Sequence, residues 1–347
     1  MNLRRNLTAL TLSLGLLAAT ACGGGDDSDA ERPSTTEEAT TTTTAPPVAP
    51  LTGLAVTDQA ALGRPALVVK YDNVEPKARP QAGINQADVV YEERVEGSVT
   101  RLLAIFHSGD VAPAGPVRSA RSSDLGIMGP LHRPFFAWSG ANATFAAAVR
   151  NANLVDVGVD RQAGYYERDR GRPAPSNLML KSTADIRALP ADGSSAPPAL
   201  FTYRTEGQVP AHLEQARGAN VSFGTSAGSA PVDWTWNGQG WDRTQKGTAH
   251  VDSAGARVAP ENVVIMFVPY VSSGVNDQFG NPIPEAQLIG EGDVWVLTAG
   301  GVVKGRWHKP TLESVTTYLD VDGAPIPLTP GRTWVQLPQP GGATTFL

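Results

Sequence analysis

Apolar and polar positions change over in short runs, and Gly, Pro, Asn and Asp punctuate them, which is the pattern of a strand-rich fold with few long helices. Ala66-Leu67-Val68-Val69-Lys70-Tyr71 predicts a buried strand that ends on the turn-forming pair Asp72-Asn73. The runs 87–93 and 99–106 predict two more strands, antiparallel neighbours across a hairpin at Glu96-Gly97-Ser98. A breaker cluster from Pro113 to Pro116 follows, then a short helix at Ser122 to Met128 and a strand at Phe135 to Trp138. Asn142 is placed to cap a helix from Ala143 to Asn151, because its side chain can take an orphan backbone N–H of the first turn. Residues 182–189 read as one more short capped helix.

Beyond a Pro/Ser/Ala-rich linker at 190–198 the pattern is almost wholly strand. Val232 to Trp236 turns at Asn237-Gly238 and returns through Trp241 to Arg243. Residues 263–270 form a buried run, 292–297 and 302–307 form a hairpin, and 333–337 give the last strand. The expectation is therefore an α+β fold: a mixed sheet with short helices over 51–190, and mostly antiparallel β over 191–347. Trp234, Trp236, Trp241, Trp295, Trp307 and Trp334 fall in this second part. Core and cross-strand packing is the expected use of most of them, with a carbohydrate-stacking platform as the alternative.

The amino terminus is different in kind. Arg4 and Arg5 precede an apolar stretch, Leu10 to Ala18, too short to span a bilayer, as in an export signal over 1–21. Ala19-Thr20-Ala21 then leads into Cys22, the only cysteine of the chain, and this resembles a bacterial lipobox. The resemblance implies cleavage before Cys22 and diacylglyceryl modification of its thiol, with palmitate-type chains as a membrane anchor. Residues 22–50 combine Asp26, Asp27, Asp29, Glu31, Glu37 and Glu38 with a Thr/Pro-rich run, a composition that predicts a disordered tether.

Composition narrows the chemistry. The 347 residues carry a net charge of −6 and no long basic run, which disfavours nucleic acid. A single cysteine excludes an internal disulfide and a thiolate metal cluster. His107, His132, His212, His250 and His308 show no metal-ligand spacing, so neither a metal nor another cofactor is expected. There is no nucleophile elbow and no phosphate-loop lysine motif.

What remains is arginine. In Gly115-Pro116-Val117-Arg118-Ser119-Ala120-Arg121, two guanidinium groups three apart stand where a turn enters a helix, and such a turn offers free N–H groups at the positive end of the helix dipole. A second run, Tyr165 to Leu178, carries Arg168, Arg170 and Arg172. Two outcomes follow: the arginines pair with carboxylates of their own domain, or they converge on an anion pocket. In the second case Arg79, Arg101, Arg118, Arg121, Arg168 and Arg172 would hold the ligand by bidentate forks, and Asn177 would donate a hydrogen bond.

The strings Arg79-Pro80-Gln81, Ala87 to Glu92, Thr100-Arg101, Gly115 to Arg121 and Arg168-Asp169 through Pro175-Ser176-Asn177-Leu178 resemble the YerB-like lipoproteins. The resemblance covers most of 51–340 and implies a lipoprotein with an α+β body of two parts, and no defined activity. Where the family often carries His before the Asn, this chain has Ser176. Three roles are open. The first is an extracytoplasmic lipoprotein that binds an anionic or polar envelope component. The second is a cell-wall hydrolase using Asp72 or Glu92 as acid/base. The third is a structural lipoprotein that docks to another envelope protein.

Overall fold

The computed structural model describes residues 47–56, 58–224, 231–277 and 280–346. The expected signal, Cys22 and the tether as far as residue 46 lie outside the described residues. The first part contributes β1 (Leu67–Asp72), β2 (Val89–Arg94), β3 (Thr100–Phe106), α1 (Ser123–Met128), β4 (Phe135–Ala137), α2 (Ala143–Asn151) and β5 (Val155–Asp156). It continues with β6 (Tyr166–Arg168), β7 (Leu178–Leu180) and α3 (Thr183–Arg187). The second part begins with β8 (Glu214–Gln215), β9 (Gly218–Val221), β10 (Val232–Trp236), β11 (Trp241–Gln245) and β12 (Thr248–Ala249). It goes on through β13 (Asn262–Met266), β14 (Tyr270–Asn276), β15 (Pro282–Ala286), β16 (Gly290–Thr298) and β17 (Gly301–Lys309), and ends with β18 (Thr317–Leu319), β19 (Thr333–Leu337) and β20 (Ala343–Phe346).

The fold is α+β. One mixed sheet runs in the order β18-β17-β16-β13-β19-β2-β3-β1-β4-β5, with β8 on β17. It passes through both parts of the chain: β19 pairs in parallel with β2, Trp334 opposite Val90. A second sheet, β12-β11-β10-β9-β20, covers one of its faces. The expected hairpin is present, with β2 and β3 antiparallel and Tyr91 opposite Leu103. Asn142 caps α2 by accepting from the Phe145 N–H. The body also takes in the last residues of the expected tether, since Val48 bridges Ala55 and Ala49 is buried.

Strand periodicity sorts side chains to two cores. Val68, Val89, Tyr91, Leu103 and Ile105 pack with Ile127 and Met128 of α1 and Val149 of α2. Leu67, Val69, Val90, Leu102 and Phe106 pack on the other face with Val221, Val232, Trp234 and Trp241 of the second sheet. Trp234, Trp241, Trp307 and Trp334 are all buried, so they pack the interior rather than presenting a carbohydrate platform.

Candidate functional site

The Gly115–Arg121 stretch is threaded between the end of β1 and β7. Gly115 pairs with Ala82, Ala114 with Leu180 and Val117 with Tyr71. Gly115 has φ +147°, and a Cβ there would lie 3.1 Å from the Leu178 carbonyl oxygen, so glycine is required. This threading places Arg118 and Arg121 on the helix-covered face of the mixed sheet.

Their guanidinium groups meet carboxylates of the same chain. Arg118 Nε lies 3.0 Å from Asp72 Oδ2. Arg121 Nε donates to Glu96 Oε2 at 2.8 Å, and its Nη2 pairs with Oε1 of the same carboxylate. Arg101 Nη2 is 3.5 Å from Glu96, and Arg101 Nη1 donates to the Ser119 carbonyl at 3.1 Å. Burial acts to raise the Glu96 carboxyl, but the hydrogen bond from Arg121 and the charges of Arg101 and Arg121 carry it below its ordinary value. Burial, with Arg121 close by, pushes Arg101 down to about 10.

At the start of α1 the anion position is filled from within. The Arg121 N–H donates to Asp124 Oδ2 at 2.7 Å, and Asp124 Oδ1 lies 2.6 Å from Lys70 Nζ. Lys70 also pairs with Glu93. Lys70, Glu93 and Asp124 are fully buried, and burial pushes the Asp124 carboxyl up to about 7, with Lys70 opposing and Glu93 reinforcing the shift. Lys70, Arg101, Arg118 and Arg121 thus face Asp72, Glu93, Glu96 and Asp124, four charges of each sign.

Glu92 points the opposite way, as neighbours on a strand must. It takes both Nη2 contacts of Arg243 at 2.8 Å. Arg243 lies against Trp234 and Trp334, 5.8 and 5.2 Å from the ring centres. Its Nη1 donates to His250 Nδ1 at 2.8 Å, and His250 Nε2 lies 2.7 Å from Gln81 Oε1. Because arginine can only donate, Nδ1 accepts and Nε2 carries the proton. Burial and the charges of Arg243, Arg79 and Arg257 hold His250 well below its ordinary pKa. Gln81 closes the chain by donating to Asn73 Oδ1 at 3.1 Å. Asp72 is equally enclosed, accepting from Arg118, Ser176 Oγ at 2.7 Å and the Val74 N–H. Both carboxylates proposed as acid/base are therefore buried and committed to partners.

The Arg168 run goes elsewhere. Arg168 Nη1 donates to Asn177 Oδ1 at 2.7 Å, and Asn177 Nδ2 lies 3.4 Å from the Arg172 carbonyl. Arg172 Nε is 3.0 Å from Asp169, and its Nη groups donate to the Ala78 carbonyl at 3.3 Å and the Pro80 carbonyl at 2.5 Å. Between the two loops lies an open groove of about 450 Å³, walled by Lys77, Arg79, Pro80, Asp169 and Arg172. A second hollow of about 200 Å³ shares Pro76, Arg79 and Pro80, adds Glu75 to that wall, and continues to Thr248, Ala249, His250 and Val251. Arg79 pairs with Glu75, while its Nε is buried without a partner. Burial, then the charge of Arg243, pushes Arg79 down to about 10. Lys77 is exposed and makes no ion pair among the described residues.

Of the seven expected ligand residues, the structure places Arg79 and Arg172 on the groove, joins Arg168 and Asn177 to each other, and sends Arg101, Arg118 and Arg121 to internal carboxylates. Arg118 still meets the 168–178 loop indirectly, because Asp72 takes Ser176 as well. Lys77, Lys70, Asp124, Arg243 and His250 were not read from the sequence. For Lys70 a signal existed: one charge inside an apolar strand marks a buried ion pair. No group of His, Cys, Asp and Glu among the described residues could hold a metal.

Residues 51–195 match the N-terminal domain, and residues 220–335 the C-terminal domain, of a family described as proteins of unknown function, DUF3048. The chain belongs to this family. It is 28% identical over 300 residues to the protein named "Putative lipoprotein YerB" of Bacillus subtilis (strain 168), covering 83% of this chain and 85% of that one. The crystal structure of YerB from Bacillus subtilis superposes with a TM-score of 0.72 at 25% identity, over 86% of this chain and 99% of that chain.

Proposed function

We propose that this chain is an extracytoplasmic lipoprotein, held at the membrane through Cys22, whose body binds an anionic or polar envelope ligand in the groove between the 75–80 and 168–173 loops. The observation that carries the reading is the charge of that groove. Lys77, Arg79 and Arg172 line it; Asp169 answers Arg172 and Glu75 answers Arg79, so the exposed Lys77 is the cation left over, while Arg101, Arg118 and Arg121 meet carboxylates elsewhere. The likeness to a lipoprotein supports a membrane-anchored location.

The binding site is tested with inorganic phosphate on the full-length protein in detergent micelles. At matched ionic strength, phosphate is expected to raise Tm saturably relative to chloride, as a ligand of the folded state does. Lys77→Ala should remove most of that rise without lowering the basal Tm. An equal rise in wild type and variant defeats the groove as the site. For the anchor, Cys22→Ser is expected to move the protein from the membrane to the soluble fraction, and unchanged fractionation defeats that part.

A further inference from the structure

The second hollow differs in character from the groove it adjoins. Its far wall is β12, which ends the order of the second sheet. β12 pairs with β11 across a two-residue turn, Gln245 opposite Thr248 and Thr244 opposite Ala249. The His250 N–H donates to the Arg243 carbonyl at 2.9 Å and the His250 carbonyl accepts from Val258 at 2.9 Å, so His250 faces β11 and its neighbours. Backbone groups alternate along a strand, and Ala249 therefore presents its N–H and C=O to the opposite, open side. Ala249 is exposed and lines the hollow.

The facing wall is the 79–81 segment. Gln81 bridges Asp252 in parallel, and the Ser253 N–H donates to the Gln81 carbonyl at 2.9 Å. Toward Pro80 and Pro76 the two segments are separated by the hollow, and Pro80 has no N–H with which to close it. An open strand edge is thus held beside a proline-lined wall, with Arg79 shared between this hollow and the cationic groove. A strand edge recognises extended backbone, and the adjoining cations recognise an anionic terminus.

We propose that the ligand is an extended peptide with small side chains and a free carboxylate. It adds along Ala249 and sets its carboxylate against Lys77, the cation of the groove that has no carboxylate partner among the described residues. This inference rests on the groove being an anion site, and it names the ligand class. The His250 ring behind the edge is held neutral by its two hydrogen bonds, so the wall keeps one hydrogen-bonding pattern while Lys77 supplies the charge.

The test uses the full-length protein in detergent micelles and acetyl-Ala-Ala-Ala-Ala with a free carboxylate, measured by calorimetry. Its C-terminal amide and a form N-methylated on alternate amides serve as controls, and inorganic phosphate is titrated in parallel. The acid peptide is expected to bind and to compete with phosphate. The amide and the N-methylated form should each bind about tenfold more weakly, through loss of a charged contact and of backbone hydrogen bonds respectively. Ala249→Pro should lose the peptide and keep the phosphate effect. Equal binding of the N-methylated form, or unchanged peptide binding by Ala249→Pro, overturns the inference. Phosphate binding without peptide binding overturns the peptide and leaves the anion site intact. Absence of both overturns the site itself.

Discussion

Two cationic regions of this body use the same residue types to opposite ends. Around the start of α1, Lys70, Arg101, Arg118 and Arg121 are matched by Asp72, Glu93, Glu96 and Asp124, and most of these groups are buried. In the groove, Arg172 pairs with Asp169 and Arg79 with Glu75, and the exposed Lys77 borders open space with no carboxylate partner among the described residues. A buried cluster must balance its charges internally, because each uncompensated ion carries a desolvation cost of several kcal/mol. A cluster at a groove can leave its balance to a ligand. The difference teaches that density of arginine in a sequence marks where charge is concentrated, whereas the local excess marks where an anion can bind.

The strongest challenge to this contrast is Lys70→Met. It leaves Glu93 and Asp124 buried without their cation, and a loss of about 3–5 kcal/mol in urea-unfolding free energy is expected. A loss under about 1 kcal/mol would show that the cluster is solvated and not of the closed kind.

Arg118→Ala should cost less, about 1–3 kcal/mol, since Asp72 keeps Ser176 and the Val74 N–H. Unchanged unfolding free energy would count Arg118 among the free cations instead.

Acidity separates the two faces of the sheet. The folded Asp124 carboxyl is raised to about 7, so the folded state binds the extra proton, and this group's contribution is lost as pH rises from about 4 toward 7. His250 is depressed, so the unfolded state binds the extra proton and its contribution is lost as pH falls below about 6.5. Each effect is at most about 1.4 kcal/mol per pH unit. Asp124→Asn should remove the first slope and His250→Gln the second, read from unfolding free energies between pH 4 and 8. A variant that keeps its slope refutes the assignment for that residue.

The smallest effect on stability is expected at Lys77. Lys77→Ala should change the unfolding free energy by under about 0.5 kcal/mol, as at an exposed and unpaired position. A larger loss, measured in the same urea series, would place Lys77 with the closed cluster.

Much of the local architecture was legible in the sequence. The runs 66–71, 87–93 and 99–106 gave their strands, Asn142 its cap, and the hairpin at 96–98 its antiparallel pair, because these depend on side-chain period and on contacts a few residues apart. The α+β class followed from the same local signals. Legibility ended where partners are distant in the chain. Glu92 meets Arg243 151 residues away, and His250 meets Gln81 169 residues away. The parallel pairing of β19 with β2 joins the two parts into one sheet with no local cue. The arginine string at 115–121 announced its charge, but the fold assigned Arg118, Arg121 and Arg101 to Asp72 and Glu96, Arg79 to Glu75 and Arg172 to Asp169, and left Lys77 as the groove's unpaired cation. The reason is physical: propensity and periodicity act over a few residues, whereas the energy of a charge is set by every group that burial brings within a few ångströms of it, and only the tertiary fold determines which groups those are.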